Sequence, residues 1–329
     1  MRRLAVVVFV LVLGACAPTL VPPGADRQTP EIADKAFVAA DGKALALRSW
    51  LPPDKTMGEP KAVILALHGF NDYSNFFDDP GDYLALRGVA SFAYDQRGFG
   101  ADADAGTWAG VAAYARDAAD AARALKARYP KRPLYLLGSS MGGAVAMAAL
   151  TSNDPPPVDG VILAAPAVWG RATMPFYQRA SLWIGAHTLP WMTLTGRGLG
   201  IVPSDNYEML VRLGRDPLVI KETRIGTLYG LVNLMDEGLE AAARLKTPAL
   251  ILYGEKDQII PKLPTRLMLG RMTGPKRVAL YEGGYHMLLR DLPAATVWKD
   301  IAAWIADASR PLPSGADKRD ITNLLASGR

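Results

Sequence analysis

The sequence predicts an α/β protein with a mostly parallel central sheet flanked by helices and a helical cap inserted late in the sheet. Three observations carry this. Short apolar runs recur along the chain, several of them near-continuous, as in strands buried on both faces. Stretches with helical spacing lie between them, and strands alternating with helices build parallel sheets. One interval of about 80 residues breaks the alternation, where ordinary connections take a few residues plus one helix.

The elements follow in order. Met1-Arg2-Arg3 is a short positive region. Leu4 to Leu13 is an unbroken apolar run, too short to span a bilayer comfortably but suited to a signal-peptide core. It ends in Leu13-Gly14-Ala15-Cys16, which resembles a bacterial lipobox, in which the cysteine is lipidated and becomes the new N-terminus. Alanine rather than aspartate at residue 17 implies, by that resemblance, sorting to the outer membrane of a Gram-negative envelope, on its periplasmic or surface face. Residues 1–15 are thus expected to be a signal peptide. Residues 16–35, with Pro18, Pro22, Pro23, Gly24 and Pro30, read as a tether. Phe37 to Trp50 alternates around Asp41-Gly42, a hairpin signal.

The rhythm then changes. AVILALHG (62–69), ASFAYDQ (90–96), LYLLGSS (134–140), VILAAPAV (161–168), ALILYGEKD (249–257) and RVALYEGG (277–284) read as strands. Val111 to Tyr129, Met141 to Leu150 and Leu292 to Ala308 read as helices, the last with Val297, Ile301, Trp304 and Ile305 at helical spacing. The core is expected over 36–168 and 249–308. The cap, 169–248, holds many aromatic and methionine side chains and is too apolar for a simple surface loop. Residues 309–329 are polar with Pro311 and Pro313, and read as a loose tail.

Composition narrows the function classes. Half of the 329 residues are hydrophobic and 21% are charged, which is globular rather than disordered. The formal charge is +5, of which Arg2 and Arg3 supply two units. The other basic residues are scattered, so no nucleic-acid footprint is read. Cys16 is the only cysteine, so no intrachain disulfide is possible. No His/Cys/Asp cluster has metal-ligand spacing, and no Gly-rich phosphate loop of the usual form occurs. No metal or cofactor is implied.

The chemistry centres on Gly138-Ser139-Ser140-Met141-Gly142. This G-x-S-x-G pattern directly follows an apolar strand. A serine hydroxyl is a poor nucleophile alone and needs a base, an acid to orient that base, and donors for an oxyanion. The elbow makes Ser140 the candidate nucleophile, because flanking glycines let the strand turn sharply into a helix. The backbone N–H of Met141, at that helix start, can face negative charge. Ser139 lacks the glycine frame. The chain has three histidines. His68 follows a strand in His68-Gly69-Phe70, a loop that supplies the second oxyanion N–H from Phe70, so His68 reads as structural. His187 lies in the cap among Trp183, Ile184 and Leu189. His286 follows the last strand in Gly283-Gly284-Tyr285-His286 and is the candidate base. Asp257, at the end of ALILYG, is the candidate acid, with Glu255 its nearest rival. Arg97, in Asp95-Gln96-Arg97-Gly98, reads as a loop-bracing ion pair, with substrate contact the minor alternative.

Together these segments resemble the monoacylglycerol lipase and lysophospholipase group of α/β hydrolases: His68-Gly69-Phe70, Asp95 to Gly100, Gly138 to Gly143, Leu252 to Asp257, Tyr281 to His286, and Asp216-Pro217 in the cap. The resemblance covers residues 36–308. The group's usual elbow is G-H-S-M-G, and Ser139 replaces its histidine. The resemblance implies the α/β-hydrolase fold, the triad Ser140, Asp257 and His286, and a lipid or small ester as substrate. Lipidated Cys16 would place such an enzyme at a membrane. Trp183, Trp191 and Met192 are candidates for an acyl pocket in the cap. The alternatives are a serine peptidase or broad carboxylesterase of the same fold, and a catalytically inactive binding lipoprotein.

Overall fold

The computed structural model of the chain describes residues 18, 20–53 and 59–319. Cys16 and the apolar run before it lie outside the described residues. Strands β1 (Glu31–Ile32), β2 (Ala36–Val38) and β3 (Ala44–Trp50) form an antiparallel edge. β3 alternates buried and exposed residues and turns Leu45 and Leu47 inward. Strands β4 (Ala62–Leu67), β5 (Val89–Tyr94), β6 (Leu134–Ser139), β7 (Gly160–Ala164), β10 (Ala249–Gly254) and β11 (Lys276–Tyr281) are parallel to one another, and β5 joins them to β3 by an antiparallel pairing. The sheet order is β1-β2-β3-β5-β4-β6-β7-β10-β11. β4, β5, β7 and β10 are buried at every position, which explains their unbroken apolar runs.

Helices α1 (Asp78–Ala85), α2 (Val111–Arg128), α3 (Met141–Leu150), α7 (Lys262–Arg271) and α8 (Ala294–Ala306) flank the sheet. The apolar residues fall into two clusters, one on each side of it. Leu65, Leu136, Val145 and Ile251 lie in one, and Ile64, Leu137, Ile162 and Trp304 in the other. α3 is buried along its whole length, so it can be apolar all round. The expected mostly parallel sheet flanked by helices is therefore present. Residues 169–248 carry α4 (Phe176–Thr188), α5 (Tyr207–Arg215), α6 (Ile225–Ala241) and the small antiparallel pair β8 (Thr193–Leu194) and β9 (Thr223–Arg224).

Two expectations need correction. The chain from Leu20 does not hang loose. Leu20 bridges to Trp108, the Val21 N–H donates to the Trp108 carbonyl at 2.9 Å, and the Arg27 N–H donates to the Ala40 carbonyl at 2.7 Å. Prolines exclude a helix here but leave these backbone donors free to bond. Nor are residues 309–319 a loose tail. Leu312 and Ala316 are buried in the second cluster, and Ser314 donates its N–H to Asp300 at 3.0 Å. Two apolar residues in a polar stretch are enough to dock it.

Candidate active site

Ser140 sits between β6 and α3 at φ 51° and ψ −114°, a left-handed conformation unusual for a residue with a side chain. The turn is over-determined by its surroundings. The Ser140 N–H donates to the Ala164 carbonyl at 2.9 Å, and the Ser140 carbonyl accepts from Gly143 and Ala167, each at 2.9 Å. The flanking glycines permit the close approach. A Cβ on Gly142 would stand 2.1 Å from the Leu67 carbonyl oxygen, and one on Gly138 would stand 2.3 Å from that of Gly142. Both obstacles are backbone and cannot swing away.

The candidate base and acid come from neighbouring strand ends. β10 and β11 are parallel partners, and the loops after them are hydrogen-bonded together: Lys256 N–H to the Gly284 carbonyl at 2.9 Å and Glu255 N–H to the Tyr281 carbonyl at 3.0 Å. This lays Asp257 against His286, with 2.8 Å between Asp257 Oδ2 and His286 Nδ1. Asp257 Oδ1 accepts the N–H groups of Ile259 and Ile260 at 2.8 and 2.9 Å, so both carboxylate oxygens are held. A proton on Nδ1 of His286, donated to this carboxylate, leaves the Nε2 lone pair available. Among the described residues the His286 ring pairs with Asp257 rather than with Glu255, the rival acid, whose backbone serves the loop pairing instead.

The loop after β4 lies beside the elbow: a Cβ on Gly69 would stand 3.4 Å from the Ser140 Cβ. Among the described residues, neither the Phe70 nor the Met141 N–H donates to a protein acceptor. His68 holds this loop. The Gln96 N–H donates to His68 Nε2 at 2.9 Å, so Nδ1 carries the proton and donates to the Gly69 carbonyl at 2.8 Å. Burial pushes the His68 pKa down and favours this neutral form. His187 stacks on Trp183 with ring centroids 4.5 Å apart, well suited to a packing role. Arg97 is buried and clasped on two sides. It bonds Asp41 in the β2–β3 turn at 2.8 and 2.9 Å, and Asp117 on α2 at 2.6 and 3.2 Å. It braces the fold.

The cap holds a cavity of about 390 Å³ lined by Trp169, Leu182, Leu194, Ile225, Leu228 and Met235 among others. Its polar lining side chains are Gln178 and Ser181, and no acidic residue faces it. Trp169 follows shortly after Ala167, whose N–H is bonded to the elbow. Trp183, Trp191 and Met192 do not line this cavity. They are 54%, 61% and 44% exposed on the outer side of the cap. Their apolarity gave no direction: α4 turns Trp183 outward, and Trp191 and Met192 lie beyond its end.

Sequence reasoning also missed a bracket around His286. The Asp291 carboxylate, buried, accepts the Tyr285 N–H at 2.8 Å and the Ser204 hydroxyl of the cap at 2.6 Å. Burial pushes its pKa up. Arg290 pairs with Asp72 of the loop after Phe70, and Tyr73 of that loop donates its hydroxyl to Asp216 at 2.7 Å. The Asp-Pro pair of the cap and the His286 loop are thus both tied to the loop after β4. No motif marks Ser204 or Asp291.

A family model described as "Serine aminopeptidase, S33" matches residues 58–293. Among curated relatives, the monoglyceride lipase of Mus musculus is 29% identical over 280 residues, covering 82% of this chain and 89% of that protein. The monoacylglycerol lipase of Mycolicibacterium smegmatis is 22% identical over 281 residues, covering 83% and 96%. Among solved structures, the monoacylglycerol lipase of Paleococcus ferrophilus superposes with a TM-score of 0.61 at 21% identity, covering 79% of this chain and 98% of that one. That last likeness is one of fold.

Proposed function

The chain belongs to the serine aminopeptidase, S33 family of α/β hydrolases, and within that family we propose that it is a serine hydrolase of lipid acyl esters, cleaving a monoacylglycerol or lysophospholipid. Ser140 Oγ attacks the ester carbonyl carbon while His286 Nε2 takes its proton, and Asp257 holds the imidazole in the tautomer and orientation that allow it. The Phe70 and Met141 N–H groups hold the oxyanion. His286 then gives its proton to the leaving alcohol, and a covalent acyl-serine remains. Water, activated by the same histidine, releases the fatty acid and restores Ser140. The relatives whose names specify monoacylglycerol as substrate support this reading. Lipidation of Cys16 is part of the same proposal, and holds the enzyme at a bacterial envelope membrane.

The observation that carries the substrate class is the cap cavity, which has an apolar lining and no acidic side chain. The family's description also raises an aminopeptidase reading. A peptide's free amine needs a carboxylate to hold it, whereas an acyl chain needs apolar wall. Each methylene that enters is worth about 0.8 kcal/mol, close to fourfold in binding. Catalytic efficiency is expected to climb from p-nitrophenyl acetate to octanoate and palmitate, measured below their aggregation limits, until the cavity is filled. A flat or falling series, with clear turnover of an aminoacyl anilide, would reject the lipid-ester reading in favour of the peptidase.

A further inference from the structure

A short stretch of the cap, in the connection between β8 and α5, reaches both loops that carry the candidate acid and base. The Val202 N–H donates to the Gln258 side chain at 2.9 Å, one residue past Asp257. The Pro203 carbonyl accepts the Met287 N–H at 3.0 Å, one residue past His286. The Ser204 hydroxyl donates to Asp291 Oδ1 at 2.6 Å, and Asp291 Oδ2 accepts the Tyr285 N–H, one residue before His286, at 2.8 Å. Consecutive cap residues thus hold the sequence neighbours of the acid and, on both sides, of the base. The next two fasten the far end of the same loop. Asp205 accepts the Leu292 N–H at 2.8 Å, and the Asn206 amide donates to the Arg290 carbonyl at 3.0 Å.

Within this set the Ser204–Asp291 link is the buried one, with the two residues 2% and 3% exposed. A carboxylate out of water needs hydrogen bonds in place of its hydration. Asp291 receives one on each oxygen, from the cap on one side and from the His286 loop on the other. Among the described residues it makes no ion pair, since Arg290 beside it turns to Asp72. What Asp291 supplies is therefore a fixed join between two bodies. The loop needs one. Gly283 lies three residues before His286, and a Cβ there would meet nothing within 4 Å, so packing leaves the chain free at that point.

We infer that Ser204 and Asp291 are positioning residues for His286: through this pair the cap sets where the imidazole stands relative to Ser140. This rests on the reading of Ser140, Asp257 and His286 as the triad. Displacing a reacting group by about 1 Å costs on the order of 10²-fold in rate, so releasing the pair disables the base while every triad residue is still present. The cap then has two separable duties. Its cavity takes the acyl chain, and residues 202–204 hold the base. The second duty is independent of acyl length, and shows with an ester too short to need the cavity.

The test uses the full-length chain and p-nitrophenyl acetate. Ser204→Ala and Asp291→Ala are expected to lower kcat on the order of 10²-fold with KM unchanged. The rate at which a fluorophosphonate labels Ser140 should fall by the same factor. The proton on His286 Nδ1, a resonance downfield of the amide envelope that His286→Ala removes, should broaden in both variants. Asp291→Asn supplies the rescue. Its Oδ1 can accept the Tyr285 N–H and its Nδ2 can donate to the Ser204 hydroxyl, so both links persist without the charge. It should keep most of the native kcat. Thermal unfolding is read on every variant, and Ser204→Ala, which deletes one hydroxyl, carries the comparison should Asp291→Ala fail to fold. Native labelling at a residue other than Ser140 would end the triad reading and this inference together. With Ser140 labelled, an undiminished kcat in Ser204→Ala would overturn the inference alone. So would a loss accounted for by unfolding at the assay temperature, or a slow variant whose His286 resonance is unaltered. An Asp291→Asn as slow as Ser204→Ala would overturn it too, by assigning the effect to charge rather than to position.

Discussion

Ser140 is held at a left-handed backbone angle by four backbone hydrogen bonds, in a turn packed closely around Gly138 and Gly142, which is strain retained where the proposed chemistry needs it. Ser140→Ala is expected to leave the fold intact, abolish labelling by a fluorophosphonate, and lower kcat on the order of 10³-fold or more. Near-normal turnover in that variant would remove Ser140 as nucleophile. His286→Ala should cost about as much, because it removes the group that moves the proton. Asp257→Asn should cost less, because that carboxylate orients the ring rather than taking its proton. Gly142→Ala is a different test. Its methyl would meet the Leu67 carbonyl oxygen at 2.1 Å, so the elbow itself must shift. A loss of activity with a lowered Tm is expected, of about 1–3 kcal/mol or more. These candidate site residues could be proposed from the sequence because the chemistry they would perform demands fixed types next to strand ends. Asp291 and Ser204 were not, since a buried carboxylate that accepts one backbone N–H and one distant hydroxyl leaves no local pattern.

At the scale of elements, the clamp around Arg97 joins three pieces: the β2–β3 turn through Asp41, the end of β5, and α2 through Asp117. Removing the guanidinium in Arg97→Met strands two carboxylates and is expected to cost about 3–5 kcal/mol, measured by urea unfolding, with KM unchanged if the residue only braces. Burial raises the Asp41 pKa, but Arg97 and the N–H groups of Lys43 and Gly24 outweigh it and hold the group at about 2 against an ordinary 3.8. A carboxyl depressed in the folded state stabilises above its unfolded pKa. That contribution should be lost as pH falls from 3.8 towards about 2, and Asp41→Asn should flatten the urea midpoint over this window. An unchanged slope would mean Asp41 is not held by the clamp. Strands were easy to read, because β4, β5, β7 and β10 are buried at every position. Two flanking helices, α1 and α7, were not read. Each carries a proline at its third position, Pro80 and Pro264. Proline in the first helical turn costs no intrahelical hydrogen bond, yet in a linear reading it looks like a break.

At the scale of the whole molecule, the described segments nearest the chain ends, 20–30 and 309–319, are bound more closely to the body than their composition suggests. The stretch 20–28 gives backbone N–H groups to Trp108, Asp41 and Ala40, and Asp26 pairs with Arg116 at 2.6 Å. Proline and polar residues denied this stretch a repeating pattern, so the sequence offered no sign of where its donors would go. The consequence separates two truncations. Removal of residues 1–17 leaves every one of these bonds in place and should not change Tm. Removal of residues 1–30 takes away the Gly24 N–H that helps depress Asp41, together with the donors to Trp108 and Ala40. Each lost hydrogen bond is worth about 1 kcal/mol net, offset in part by the chain entropy no longer spent on ordering the segment. A net loss of a few kcal/mol corresponds to a Tm fall on the order of 5 °C for a domain of this size. None of these bonds involves Ser140, Asp257, His286, Phe70 or Met141. The kcat for a soluble p-nitrophenyl ester at 25 °C should therefore match in both truncations. A kcat that falls in the longer truncation while Tm holds would place the N-terminal segment in the catalytic machinery instead of in the support of the sheet's antiparallel edge.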